Sequence, residues 1–128
     1  MGEQLNYHEF SFEKLNVWQN SIDFVENIYK ITDKFPKSEI YCLTSQTRRA
    51  VISVPSNIAE GSTRKSFKDQ ARYSEIAFGS LLETLTQLII AYKLKYINED
   101  DFNSLRIEIE KISRQLNALK NSQIERQK

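Results

Sequence analysis

Six cations crowd one stretch of the chain: residues 41–72 hold Arg48, Arg49, Arg64, Lys65, Lys68 and Arg72 against two acids, a net of +4. Residues 1–40 hold four basic and seven acidic side chains, a net of −3. Guanidinium and ammonium groups gathered beside a helix start suit phosphate. The chemistry they could do is contact with a nucleic-acid backbone, RNA or DNA, indifferent to base identity and weakened steeply by salt. Arg64, Lys65 and Lys68 fall where two helix ends should meet. Arg48 and Arg49 point about 100° apart on a helix, so only one of them can join that patch. The competing reading is a solvated loop in which one arginine pairs with Glu60 or Glu83.

Catalytic constellations are thin. His8 is the sole histidine and Cys42 the sole cysteine. A lone histidine in an N-terminal tail supplies no histidine base, Cys–His pair or multi-histidine metal site. A single thiol forms no internal disulfide and suits a reducing compartment, so a cytoplasmic location is expected. Gly2, Gly61 and Gly79 make neither a P-loop nor a dinucleotide fingerprint. The Glu99-Asp100-Asp101 run lies where a helix start favours negative charge. No Glu-x-x-His pair is present to build a dimetal site in a bundle core. We therefore expect no catalytic residue, no metal and no cofactor, and a protein that is not an enzyme. The longest apolar run, Leu88 to Tyr92, is five residues, far short of a bilayer span, so no membrane partner is expected.

The elements that must position these groups follow from periodicity. The chain has 128 residues, 40% of them apolar and 27% charged, with two prolines and three glycines. That composition describes one folded, helical domain. The first helix is expected over about Phe12–Asp33, with Leu15, Trp18, Ile22, Val25 and Tyr29 as its core seam. The second starts near Ser38, carries Ile40, Leu43, Thr47, Ala50, Val51, Val54 and Ile58 on one face, and kinks at Pro55 before ending at Gly61. Ser66 with Asp69 opens the third, lined by Ser74, Ala77, Phe78, Leu81, Leu85, Leu88 and Tyr92, where Ala77, Gly79 and Ser80 would admit a neighbouring backbone. Asn98 with Asp101 caps the fourth, which buries Phe102, Leu105, Ile109, Ile112, Leu116 and Leu119. Links of about four to six residues force antiparallel neighbours. The expected fold is thus all-α, an up-down-up-down four-helix bundle over residues 12–121, with a flexible tail at 1–11 and a frayed end at 122–128.

A second apolar stripe complicates this picture. Val17, Phe24, Ile28 and Ile31 cluster about 120° from the first helix's seam, and Ile76, Ile90 and Leu94 lie nearly opposite Leu81 and Leu85 with Glu83 among them. An outward stripe of this kind reads as a subunit interface; the alternative is one broad core face. A carboxylate in such a seam needs a partner, and Arg48 or Arg49 of a second subunit could supply it.

Several strings now on the page resemble one family. They are Phe12-x-x-Leu15-x-Val17-Trp18-Gln19, Phe35-Pro36-x-x-Glu39-x-Tyr41-x-Leu43, Gln46-x-Arg48-Arg49-Ala50 and Ser53-x-Pro55-Ser56-Asn57-Ile58-Ala59-Glu60-Gly61. The likeness continues through Ile76-Ala77-x-Gly79-Ser80-Leu81-x-Glu83-x-x-x-Gln87-Leu88 and covers roughly residues 12–120. The family is the four-helix-bundle proteins encoded in intervening sequences of bacterial 23S ribosomal RNA genes, also called ribosomal-protein-like. The resemblance implies an antiparallel bundle assembled into a homopentamer, without enzymatic activity. It also implies kinship with the accessory variability protein of diversity-generating retroelements, and through that analogy a protein partner such as a reverse transcriptase.

Overall fold

Two helix starts are built by the side chains whose spacing suggested them. Ser66 Oγ accepts a hydrogen bond from Asp69 N at 3.1 Å, and Asn98 Oδ1 accepts one from Asp101 N at 2.8 Å, each satisfying a backbone donor that the first turn leaves over. The computed structural model describes residues 6–127. Among these it is all-α, with α1 Asn16–Thr32, α2 Leu43–Ser62, α3 Phe67–Lys93 and α4 Glu99–Gln127, 3₁₀ turns at Ser11–Lys14 and Lys37–Glu39, and no strand. Each helix packs on its chain neighbours and α1 closes the ring against α4.

Cross-helix pairs fix the directions. Asn20 meets Gln115, and seven residues on Asn27 meets Glu108, seven residues earlier in α4. Ser53 meets Ser80 at 2.8 Å, while Gly61, further along α2, lies against Tyr73, earlier in α3. α1 therefore runs antiparallel to α4 and α2 to α3, and the molecule is a four-helix bundle.

Several boundaries differ from expectation. Residues 33–42 form a longer link than periodicity suggests, because Phe35 is buried and the 3₁₀ turn after Pro36 carries Glu39 under the start of α2. There Glu39 Oε1 accepts from Leu43 N at 3.3 Å and Oε2 accepts from the Tyr96 hydroxyl at 3.0 Å. The bond to Glu39 chiefly raises the Tyr96 phenol above its ordinary range. Ile40, placed on the core face by its spacing, is 52% exposed in that link. α2 continues through the buried Pro55, with Asn57 Nδ2 donating to Ser53 O at 2.8 Å. At the other terminus α4 runs on to Gln127 instead of fraying at 122, because Gln123 is buried and its Oε1 accepts from Ser74 Oγ at 2.8 Å. Of the expected N-terminal tail, residues 1–5 lie outside the described residues, as does residue 128 of the expected frayed end; residues 6–10 are exposed and precede the first 3₁₀ turn.

The core takes large side chains from all four helices: Phe24 and Ile28 of α1, Val51 and Val54 of α2, Leu81 and Leu88 of α3, Ile112 and Leu116 of α4. The two faces of α1 are thereby exchanged relative to expectation. Val17, Phe24 and Ile28 are buried inside the protomer and Ile31 packs against the core, so these four do not form an outward stripe. Leu15, Trp18, Ile22 and Val25, the expected seam, are only half-buried. The reason lies in Ser21 and Thr32, which complete the buried line. Their hydroxyls donate to Trp18 O and Ile28 O of the same helix, so small polar side chains enter the core without an unpaired group. Thr47 and Thr84, both fully buried, do the same toward Leu43 O and Ser80 O.

The glycines part company as well. A Cβ on Gly61 would stand 2.6 Å from Tyr73 Cβ, so this is where α2 and α3 approach closely, whereas a Cβ on Gly79 would meet nothing within 4 Å. Gly79 therefore admits no neighbouring backbone within the protomer. Beyond α3, Lys95 adopts φ 68°, with Tyr96 N donating to Ala91 O and Lys95 N to Tyr92 O, a left-handed helix stop usually taken by glycine.

Candidate nucleic-acid interface

The link between α2 and α3 is tied at its base before it presents any charge. Gln70 Nε2 donates to Arg64 O at 2.9 Å, and Ser66 caps α3. Lys65, Lys68 and Arg72 are exposed around this link and its first helical turns, and none forms an ion pair among the described residues. Lys68 and Arg72 border a shallow depression of about 600 Å³, shared with Asp69, Ala71 and Glu75.

Arg64 is more committed. Its Nη2 donates to Glu60 Oε1 at 3.0 Å and its guanidinium lies 4.8 Å over the Tyr73 ring, while its Nε is buried without an acceptor. A fifth cation joins from elsewhere in the chain. Arg126, in the last turn of α4, stands 5.7 Å over the Phe67 ring in the first turn of α3. Sequence spacing alone did not pair them, yet the connectivity contains the signal, since an antiparallel fourth helix must end where the third begins. Lys120 of α4 pairs with Glu75 at 3.2 Å and leaves less free charge.

The remaining two candidates lie elsewhere. Arg48 clamps α2 to the end of α1. Its Nε donates to Thr32 Oγ1 at 2.8 Å, its Nη2 to Asp33 Oδ1 at 2.8 Å, and its guanidinium covers the Tyr29 ring at 4.4 Å. Arg49 is exposed and forms no ion pair among the described residues, but thirteen residues of helix at about 1.5 Å each separate it from the end of α2, roughly 20 Å. Neither belongs to the cluster at the α2–α3 link; Arg48 pairs with Asp33, and the arginine that pairs with Glu60 is Arg64.

On α3, Ile76 and Ile90 are exposed together with Leu82, and so is Leu94 just past its end. Glu83 is also exposed and has no ion-pair partner among the described residues. Between α1 and α2, the half-buried seam forms an apolar groove of about 360 Å³ with Phe12, Trp18, Ile22 and Val25 on one wall and Ile52, Pro55 and Ala59 on the other. The α1–α4 seam is polar. A cavity of about 290 Å³ there is lined by Asn20, Asp23, Asn27, Glu108, Lys111 and Ile112. Burial raises the Glu108 carboxyl above the ordinary carboxylate range; the hydrogen bond from Asn27 opposes this, Asp23 adds to it and Lys111 opposes it.

No group of three or more His, Cys, Asp or Glu residues suited to a metal occurs among the described residues. His8 is exposed, edge-on to Phe10, and Cys42 is exposed at the start of α2. No helix among the described residues is long and apolar enough to cross a membrane.

Comparison with known proteins agrees with this architecture. A family model described as 23S rRNA-intervening sequence protein matches residues 13–118. The fold is similar to the crystal structure of a protein of unknown function from the S23 ribosomal protein family of Bacteroides thetaiotaomicron. The TM-score is 0.75 at 21% identity, covering 80% of this chain and 96% of that one. Among curated proteins, none matches.

Proposed function

The chain belongs to the 23S rRNA-intervening sequence protein family, and from that premise we propose that it is a non-enzymatic, homo-oligomeric helical bundle that binds nucleic acid, structured RNA in particular, at the basic end where α2, α3 and α4 meet. One observation carries this reading: Lys65, Lys68 and Arg72 stand exposed around a single link without an ion pair among the described residues, with Arg126 brought to the Phe67 ring of that link from the other end of the sequence. Unneutralised cations in that number release counterions when they meet phosphate, which drives binding without base recognition. With its single thiol, the protein is suited to work in the cytoplasm.

The oligomer rests on two unlike apolar surfaces. Exposed Ile76, Leu82 and Ile90 on α3, with Leu94 just beyond it, and the groove between α1 and α2 are unlike surfaces, so copies that use both would join head to tail, in a ring where the rotation between neighbours closes. A pentamer, implied by the resemblance of the sequence strings, is such a ring. It would repeat the basic end five times and sum its contacts.

A titration of a labelled RNA hairpin at about 50 and 200 mM salt tests the activity, because phosphate-led binding falls by orders of magnitude over that window. Lys65→Glu with Lys68→Glu should weaken binding at low salt by about tenfold or more. The second reading is a scaffold for a protein partner, favoured by the internal engagement of Arg48 and Arg64. It stands if the hairpin fails to bind even at the lower salt.

A further inference from the structure

Phe67 is out of place among cations. Ser66 and Lys68 flank it in sequence with Lys65 one step before, it lies in the first turn of α3, and it is 38% exposed. The Arg126 guanidinium lies over the ring, 5.7 Å from its centre. Helix formation asks for no aromatic at this position, and backbone contact with phosphate would be served by the lysines alone. An aromatic ring 38% exposed, with Arg126 over it and Lys65 and Lys68 close in sequence, answers the two things a single strand offers together: a charged backbone and bases whose flat faces are open. A duplex offers only the first, since its bases are stacked on one another.

We infer that this end recognises unpaired nucleotides, with a base stacked on Phe67 and the flanking phosphates held by Lys65, Lys68 and Arg126. This rests on the nucleic-acid reading above and narrows its ligand to single-stranded segments, such as the loops of a folded RNA. Arg126 has two roles open to it. Its planar guanidinium can stack over an incoming base on the ring, or it can leave the ring for a phosphate oxygen and expose the whole face. Either way Phe67 acts through its π face and not through its bulk.

The test compares two probes on the full-length protein, a 20-nucleotide oligouridylate and a 20-base-pair RNA duplex, at one low salt concentration. Phe67→Ala should weaken oligouridylate binding about tenfold and change duplex binding by less than about twofold, without altering the dependence on salt. Phe67→Leu, which keeps an apolar side chain, should behave like Phe67→Ala, and Phe67→Trp should restore binding. Circular dichroism checks that each variant is folded. If Phe67→Ala and Phe67→Leu bind the two probes as the parent does while Lys65→Glu plus Lys68→Glu weakens both, the basic end works through phosphate alone and the stacking site is wrong. If Phe67→Leu keeps full affinity while Phe67→Ala loses it, bulk and not stacking is at work, which equally overturns it. Failure of the parent to bind either probe removes the broader reading and this one together.

Discussion

Glu108 is the carboxylate whose surroundings should leave a mark on stability. Its raised pKa means that the folded chain holds this proton more tightly than the unfolded one. Its contribution to stability is therefore present at low pH and is lost as pH rises from the ordinary glutamate range through the raised value. Glu108→Gln keeps an acceptor for Asn27 and cannot ionise. Denaturation measured from pH 4 to pH 7 should show the parent losing stability relative to this variant as the pH climbs. A parallel pair of curves would mean that water in the α1–α4 cavity relieves the carboxylate fully. Charge placement in sequence suggested the basic residues but not their fates. What separates Arg64 from Lys65, or Arg48 from Arg49, is whether an acceptor and an aromatic face lie within reach. Glu60 and Tyr73 do so for Arg64, Asp33 and Tyr29 for Arg48.

At the scale of the helix, two helical glycines in unlike settings should respond with opposite signs. Gly61→Ala puts a methyl group 2.6 Å from Tyr73 Cβ, an atom that cannot move without its helix, so α2 and α3 must separate at a cost of about 1–3 kcal/mol. Gly79→Ala meets open space and lowers the entropy lost in forming α3, a gain of about 0.5–1 kcal/mol. Urea denaturation of both variants checks the pair; a stabilised Gly61→Ala would show that the contact yields easily. Helical periodicity made all four helices legible, and the caps at Ser66 and Asn98 set two starts closely. It failed on which face of α1 turns inward. Val17, Ser21, Phe24, Ile28 and Thr32 make a line with two hydroxyls in it, which reads as surface until each hydroxyl is seen bonded to its own helix. Trp18, Ile22 and Val25 look the more apolar row, and they are the ones left half-covered. Arg126 was missed for another reason: its place beside Phe67 depends on how far α4 extends, and the last turns of that helix have little periodicity to announce them.

For the whole molecule, the question is what covers the exposed apolar side chains on α3 and the groove between α1 and α2. Light scattering should give a mass several times the 15.0 kDa of one chain. Ile76→Asp with Ile90→Asp, both at exposed positions, should return it to a single copy while the helical content stays the same. A parent that already runs as one copy at micromolar concentration removes the ring, and the basic end must then act alone. The exchange of faces in α1 moves one further residue into view. Trp18 is the only tryptophan in the chain, and it lines the groove instead of lying in the centre of the bundle. Indole emission shifts to shorter wavelength when water is excluded from the ring. The protein thus carries its own optical gauge of that groove, and dilution followed in a fluorimeter would register the surface becoming wet with no label attached.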